Sequence, residues 1–285
     1  MLGKLTKHEF LDCARIAFPS YIAVLIVSVV GRFLTWLTSR QSLIDSVPIT
    51  FVKIIKTLSS LISTIYVFAF ISLLVITILF MVYRFYRNFF TDEGYLMLTL
   101  PTRPTNLVFS KLFNSWFWIF LSLAIALFSL YITIGHYDRI IELFKNIFDS
   151  FKDLYEREGE FLERELGVPI WVFAIEIILL AFTYITRFIL SWYASVAFGM
   201  LISKKHKIIG TIVAYIIIFL ASWAIMGIYL AIATSVIPNY YSIFTQSSGK
   251  ALQIVVIGNI IIDTFFIGLT FWFTTYIMKH RLNLD

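Results

Sequence analysis

The chain has 285 residues, 60% of them hydrophobic and 18% aromatic, with only 14% charged; its mean hydropathy is +0.88. A soluble domain is about a quarter charged, so this composition excludes one and defines an integral membrane protein. The formal charge of +6 does not point to nucleic acid, because the basic residues sit in short loops between apolar spans rather than in one patch, and the single cysteine, Cys13, excludes an intramolecular disulfide or a multi-cysteine metal site.

Residues 1–17 set Leu2, Leu5, Phe10, Ala14 and Ala17 among Lys4, Lys7, Glu9, Asp12 and Arg15. Apolar positions recurring every three to five residues predict an amphipathic helix lying in the membrane interface. This is not the pattern of a signal peptide, and the first span is expected to be retained as an anchor. Pro19 opens that span, over about 19–38, with Arg32 in its outer half, where a long side chain can snorkel. A polar loop, Ser39 to Asp45, leads to a short amphipathic stretch with Lys53 and Lys56 and then to a second span over about 58–83.

The segment YRFYRNFFTDEGYLMLTLPTRPTNLVFSKL, Tyr83 to Leu112, separates two charge-free stretches, 57–83 and 112–137. Each exceeds the roughly 20 apolar residues that cross a bilayer. Arg84, Arg87, Arg103 and Lys111 place the segment in the cytoplasm by the positive-inside rule. Asp92 and Glu93 suit the first turn of a short helix, with Leu96, Leu98 and Leu100 as apolar contacts and Pro101 and Pro104 ending it. An ordinary turn needs no such interleaving of aromatics, leucines and charges. The pattern is that of a short helix held in a partner's groove.

A third span over about 112–135 is followed by the one long hydrophilic segment, His136 to Val168. Ile140, Ile141, Phe144, Ile147, Phe148, Phe151, Leu154 and Tyr155 mark one helical face there, and nine acids and five bases fill the rest between Asp138 and Glu165. A break is expected at Gly159 and an end at Gly167–Pro169. This acid-rich insertion fits the external side. It is expected to cover an exit, bind an amphipathic substrate or lie on the outer leaflet. A fourth span runs from Pro169 to Lys204-Lys205-His206-Lys207, a fifth over about 208–234, and a sixth over about 251–278, ending in Lys279-His280-Arg281. The four segments on the side of the termini hold twelve basic residues and the two short loops opposite hold four (Arg40, Lys53, Lys56, Lys250). Both termini are therefore expected to be cytoplasmic. The fold class is an all-α polytopic membrane protein: six transmembrane helices in one permease domain over 1–285, with an N-terminal interfacial amphipathic helix and an external helical insertion between spans three and four.

The chain carries no phosphate loop. Its two Gly-Lys pairs, Gly3-Lys4 and Gly249-Lys250, are followed by Leu5 and Ala251 rather than Ser or Thr, and neither has the upstream glycine. HExxH and GxSxG are absent. His8, His136, His206 and His280 stand near span ends, where a polar interfacial residue is the ordinary expectation. No catalytic residue and no metal ligand is assigned, and the chain is not expected to be an enzyme.

Within the spans, Glu176 and Arg187 are eleven residues apart, about 16 Å along a helix. Asp263 lies near the middle of span six, one turn from Asn259. Intramembrane charges are costly and mark function or a fixed pair. A structural Arg187–Asp263 pair and a substrate pathway or proton site at Arg187, Asn259 and Asp263 are both open, with Glu176 expected solvated at the outer interface. The tryptophans Trp116, Trp118 and Trp171 near span ends suit interfacial anchoring.

The amphipathic N-terminus, six spans and the stretches Phe89-Phe90-Thr91-Asp92-Glu93-Gly94-Tyr95-Leu96 and Leu98-Thr99-Leu100-Pro101 between spans two and three resemble the ABC-2 type permease subunits, the membrane halves of ABC exporters from Gram-positive bacteria. The resemblance covers the whole chain in architecture. It implies that residues 85–105, with Asp92, Glu93, Gly94, Tyr95 and Leu96, form a coupling helix for a separate ABC ATPase, with the N-terminal helix beside it. It implies ATP and Mg in that partner and no cofactor in this chain, a homodimer or a heterodimer with a related permease, and residence in the bacterial cell membrane. The sequence departs from the family in having its large external element between spans three and four rather than five and six. The expected function is ATP-driven export of an amphipathic or lipophilic substrate, a peptide being the preferred one, by alternating access. Two other classes stand beside it: a proton-coupled secondary transporter using an intramembrane carboxylate, and a peptide-sequestering immunity or scaffold protein.

Overall fold

The computed structural model describes residues 2–39, 48–91, 103–134, 137–202, 206–236 and 248–280. They form seven helices: α1 (Leu2–Ser39), α2 (Ile49–Phe90), α3 (Pro104–Ile134), α4 (Tyr137–Leu166), α5 (Ile170–Ile202), α6 (Lys207–Val236) and α7 (Ser248–His280). All but α4 are long and apolar enough to cross a bilayer. The chain is a multi-pass membrane protein, and backbone hydrogen bonding closed within each helix is what hydrocarbon demands.

The helices run further than the hydropathy pattern alone indicates. The N-terminal stretch is not set off at Pro19, since α1 passes through that residue unbroken. Proline removes one backbone donor and leaves the Arg15 carbonyl without its usual partner, a loss that spanning helices tolerate. α2 takes in the Lys53–Lys56 stretch and continues to Phe90, and Pro104 opens α3 instead of closing the preceding segment. That placement suits proline, whose missing N–H has no intrahelical partner in a first turn. Gly159 does not interrupt α4. One glycine costs about 1 kcal/mol in a helix, too little to break 30 residues with a continuous apolar face. α4 instead stops at Gly167, whose φ of 75° closes the turn, and the Glu163 carboxylate then accepts the Ile170 N–H at 3.3 Å where α5 begins.

The chain divides into two compact units, residues 1–81 with 113–147 and residues 82–112 with 148–285. In the first, Trp118 is fully buried among Cys13, Ala14, Tyr21, Val24 and Leu73. Phe10 stacks on Trp118 with centroids 5.1 Å apart, so the N-terminal turns of α1 pack against α3. Tyr21 and Ser122 share a hydrogen bond of 2.7 Å, Thr77 and Ser122 one of 2.9 Å, and Tyr66 and Ser129 one of 3.0 Å. Interhelical hydroxyl bonds of this kind substitute for the hydrophobic effect that lipid cannot supply, at about 0.6 kcal/mol each.

In the second unit α5 packs against both α6 and α7. Close approach comes from small residues, as membrane helices require: Ala194, Ala197 and Ala214 are fully buried. Gly199 and Gly210 meet backbone to backbone, and a Cβ on Gly210 would stand 2.5 Å from the Gly199 carbonyl oxygen. Between α6 and α7, the Tyr229 ring occupies the space a side chain on Gly258 would need, and its hydroxyl donates to the Ile254 carbonyl at 2.8 Å.

Candidate functional site

Polar residues on three otherwise apolar helices of the second unit converge at mid-helix. On α5, Tyr184, Arg187 and Ser191 follow steps of three and four; on α6, Tyr215 and Ser222 are two turns apart; on α7, Asn259 and Asp263 are one turn apart. These spacings put each set on one helical face. Arg187 Nη1 is paired with Asp263 Oδ1. The carboxylate side chain is 2% exposed and the guanidinium side chain 23%. Arg187 also lies over the Phe266 ring, 5.0 Å from its centroid, a cation–π contact that holds the guanidinium plane. The expected pair is therefore formed, with the acid behind and the base in front.

In front of Arg187 is a cavity of about 310 Å³ bounded by α5, α6 and Asn259 of α7. Its polar wall consists of Arg187, Ser191, Ser222, Tyr184, Tyr215 and Asn259; Phe188, Phe219 and Trp223 supply aromatic surface. None of the lining residues is acidic. Ser222 donates to the Phe219 carbonyl at 2.7 Å and Asn259 Nδ2 to the Val255 carbonyl at 2.8 Å, so each spends one hydrogen on its own helix. The Trp192 indole stacks on the Tyr215 ring at 4.1 Å and 15°, which fixes the tyrosine against α5. Trp223, Tyr184 and Phe219 at the mouth are 72%, 63% and 50% exposed, so the cavity opens sideways, off the helix faces. Arg187 and Asn259 line the same cavity, and Asp263 stands outside its wall, paired with Arg187. Tyr215, Ser222 and Trp223 were not anticipated; the only signal for them was the seven-residue step between Tyr215 and Ser222. Glu176 is not simply solvated: it is part-buried and accepts a 2.6 Å hydrogen bond from Gln253.

The second candidate region is the segment between α2 and α3. Asp92, Glu93, Gly94, Tyr95 and Leu96 lie outside the described residues. Phe85, Phe89 and Val108 are fully buried and Leu107 is nearly so, all in the second unit. Phe85 stacks on Tyr193 of α5 with centroids 4.0 Å apart and planes 9° from parallel. The Tyr193 hydroxyl donates to the Lys111 carbonyl at 3.4 Å, and Lys111 Nζ lies 5.6 Å from the centroid of the Phe89 ring. Both feet of the segment are therefore fastened to α5, the helix that carries Arg187. Among the described residues, no cluster of His, Cys, Asp and Glu is arranged to hold a metal ion.

No protein-family model matches the chain, and no curated protein or solved structure matches it either.

Proposed function

We propose that this chain is the transmembrane subunit of an ATP-driven exporter of the ABC-2 type, working in a bacterial cell membrane with both termini in the cytoplasm. It pairs with a second permease copy or a related one and with separate ATPase subunits, which bind ATP and Mg. ATP-driven closure of those subunits moves residues 85–105, and that movement switches the helices between inward and outward access for an amphipathic or lipophilic substrate. The N-terminal turns of α1 lie at the cytoplasmic interface, and α4 is the external element.

The observation that carries the reading is the anchoring of the segment's feet. A solvated turn has no need for Phe85, Phe89, Leu107 and Val108 to be buried at its base. A lever does, because displacement of the segment reaches α5 only if the joint is stiff. The Phe85–Tyr193 stack and the Lys111 contacts give that stiffness, and the same helix α5 leads to the Arg187–Asp263 pair. The sequence supplies the other half: acids followed by leucines and aromatics in a basic-flanked loop, as in a helix that docks into a groove.

The reading is tested by Leu96→Asp and by Asp92→Ala with Glu93→Ala. Both changes spare the spans. The proteins are expected to insert and purify normally while losing the ATPase subunit and coupled ATP hydrolysis. Full retention of both by either variant would reduce the segment to a turn.

A further inference from the structure

We infer that the cavity in front of Arg187 binds the anionic head, a phosphate or carboxylate, of a membrane-dissolved amphiphile whose apolar tail stays in the lipid. The inference deepens the exporter reading, on which it rests only in calling the ligand a substrate.

Four observations carry it. The first is the balance of donors. Arg187 offers five N–H groups, and Asp263, sitting behind it and absent from the wall, engages Nη1. Tyr184, Tyr215, Ser191 and Asn259 add further donors, while no carboxylate lines the space. A wall of this kind matches an oxyanion. An ammonium head would find neutral hydroxyl and amide oxygens and aromatic faces but no carboxylate, with the guanidinium close by to repel it. The second is the size: about 310 Å³ is at the small end of ligand sites, enough for a compact head and too little for a folded peptide. The third is depth. Arg187 and Asn259, both donors in the wall, stand well inside their helices, where a polar wall left facing hydrocarbon is costly. A head that satisfies those donors removes the cost. The fourth is the sideways mouth, with Trp223, Tyr184 and Phe219 largely exposed at its rim. A ligand entering laterally from the bilayer keeps its tail in lipid and brings its head to Arg187. A soluble anion would have to cross the hydrocarbon first. The Asp263 partner holds the arginine in place, so binding needs no large rearrangement of the fork.

The test is equilibrium binding of radiolabelled dodecyl phosphate to the purified full chain in dodecyl maltoside, whose head is uncharged. Saturable binding near one per chain is expected. Arg187→Lys keeps the charge beside Asp263 but loses the planar fork, and is expected to weaken binding by about tenfold. Ser222→Leu fills the cavity without touching the ion pair, and is expected to abolish binding while the protein remains monodisperse on gel filtration. Unlabelled dodecyltrimethylammonium is expected not to compete. Inorganic phosphate at equal concentration is expected not to compete; if it does, the anion site stands but its ligand is a free phosphate, and the membrane-borne source is overturned. Equal binding by Ser222→Leu and the wild-type chain, or equal competition by the ammonium amphiphile, would overturn the proposal. The assay contains no ATPase. A failure of ATPase coupling would therefore leave the binding result standing, and a failure of binding would leave the coupling segment untouched.

Discussion

Phe85 and Tyr193 lie face to face, 4.0 Å between ring centroids and 9° from parallel, and so bolt the end of α2 to α5. Phe85 is fully buried and Tyr193 is 1% exposed. Cutting Phe85 back to alanine leaves a ring-sized void that the neighbouring Phe89 and Phe90 cannot fill without moving. Phe85→Ala is expected to cost about 3–5 kcal/mol, read as a fall in the thermal midpoint of the purified protein by fluorescence-detected gel filtration. Tyr193→Phe keeps the stack and removes the hydroxyl with its 3.4 Å hydrogen bond to the Lys111 carbonyl, so its midpoint should fall much less than that of Phe85→Ala. Equal destabilisation by the two changes would show that the ring stack is not what holds the joint.

The Arg187–Asp263 pair makes a prediction of the opposite kind, in which the second mutation helps. Asp263 is 2% exposed, and removing one member strands a buried charge at a cost of about 3–5 kcal/mol. Asp263→Asn and Arg187→Gln should each lower the yield of folded protein. The exchange Arg187→Asp with Asp263→Arg should recover part of it. If Asp263→Asn instead folds well and stops transport, the acid has a role beyond packing and the proton-coupled class gains.

Gly199 and Gly210 set how closely α5 and α6 approach. A methyl group on Gly210 meets the Gly199 carbonyl, whereas one on Gly227 of the same helix meets nothing within 4 Å. Gly210→Ala is expected to destabilise by about 1–3 kcal/mol through overpacking. Gly227→Ala should be neutral or slightly stabilising, since alanine is the better helix former. Thermal melts of the two variants in one detergent decide the matter, and a larger loss for Gly227→Ala would refute the packing.

The topology is checked in a Cys13→Ala background with single cysteines at positions 158 and 205. The basic-residue distribution assigns α4 to the outside and the α5–α6 connection to the inside. An impermeant thiol reagent added to intact cells should label position 158 and leave position 205 unlabelled until the membrane is opened. Labelling of both in intact cells would overturn the assignment.

Much of the fold was legible because charge is scarce in this chain: uncharged stretches announced the spans, and the few charges left inside them stood out. That is why Arg187 and Asp263 were found together while Tyr215, Ser222 and Trp223 were not. Hydroxyls and rings are common in membrane helices and acquire meaning only when three helices are known to face one another. Helix ends were misjudged where a local rule met a longer-range one. Pro19 and Gly159 are breakers in isolation, yet both sit inside helices whose remaining turns outweigh them. The Gly199–Gly210 approach was invisible, since a glycine in an apolar helix gives no sign of what backbone will lie against it. The coupling role proposed for Asp92 to Leu96 was read from composition and resemblance, and the fold contributes only the buried feet on either side.

The central claim is that an ATPase acts on this chain through residues 85–105. The direct measurement is ATP hydrolysis by the complex purified from native membranes through a tag on this chain, compared between wild type and Leu96→Asp. The account predicts that wild-type preparations hydrolyse ATP in a separate subunit and that amphiphilic substrate stimulates the rate. It predicts that Leu96→Asp preparations contain the folded permease but neither the subunit nor the activity. A wild-type preparation free of any ATP-hydrolysing subunit, or a Leu96→Asp preparation with undiminished stimulated hydrolysis, would contradict it.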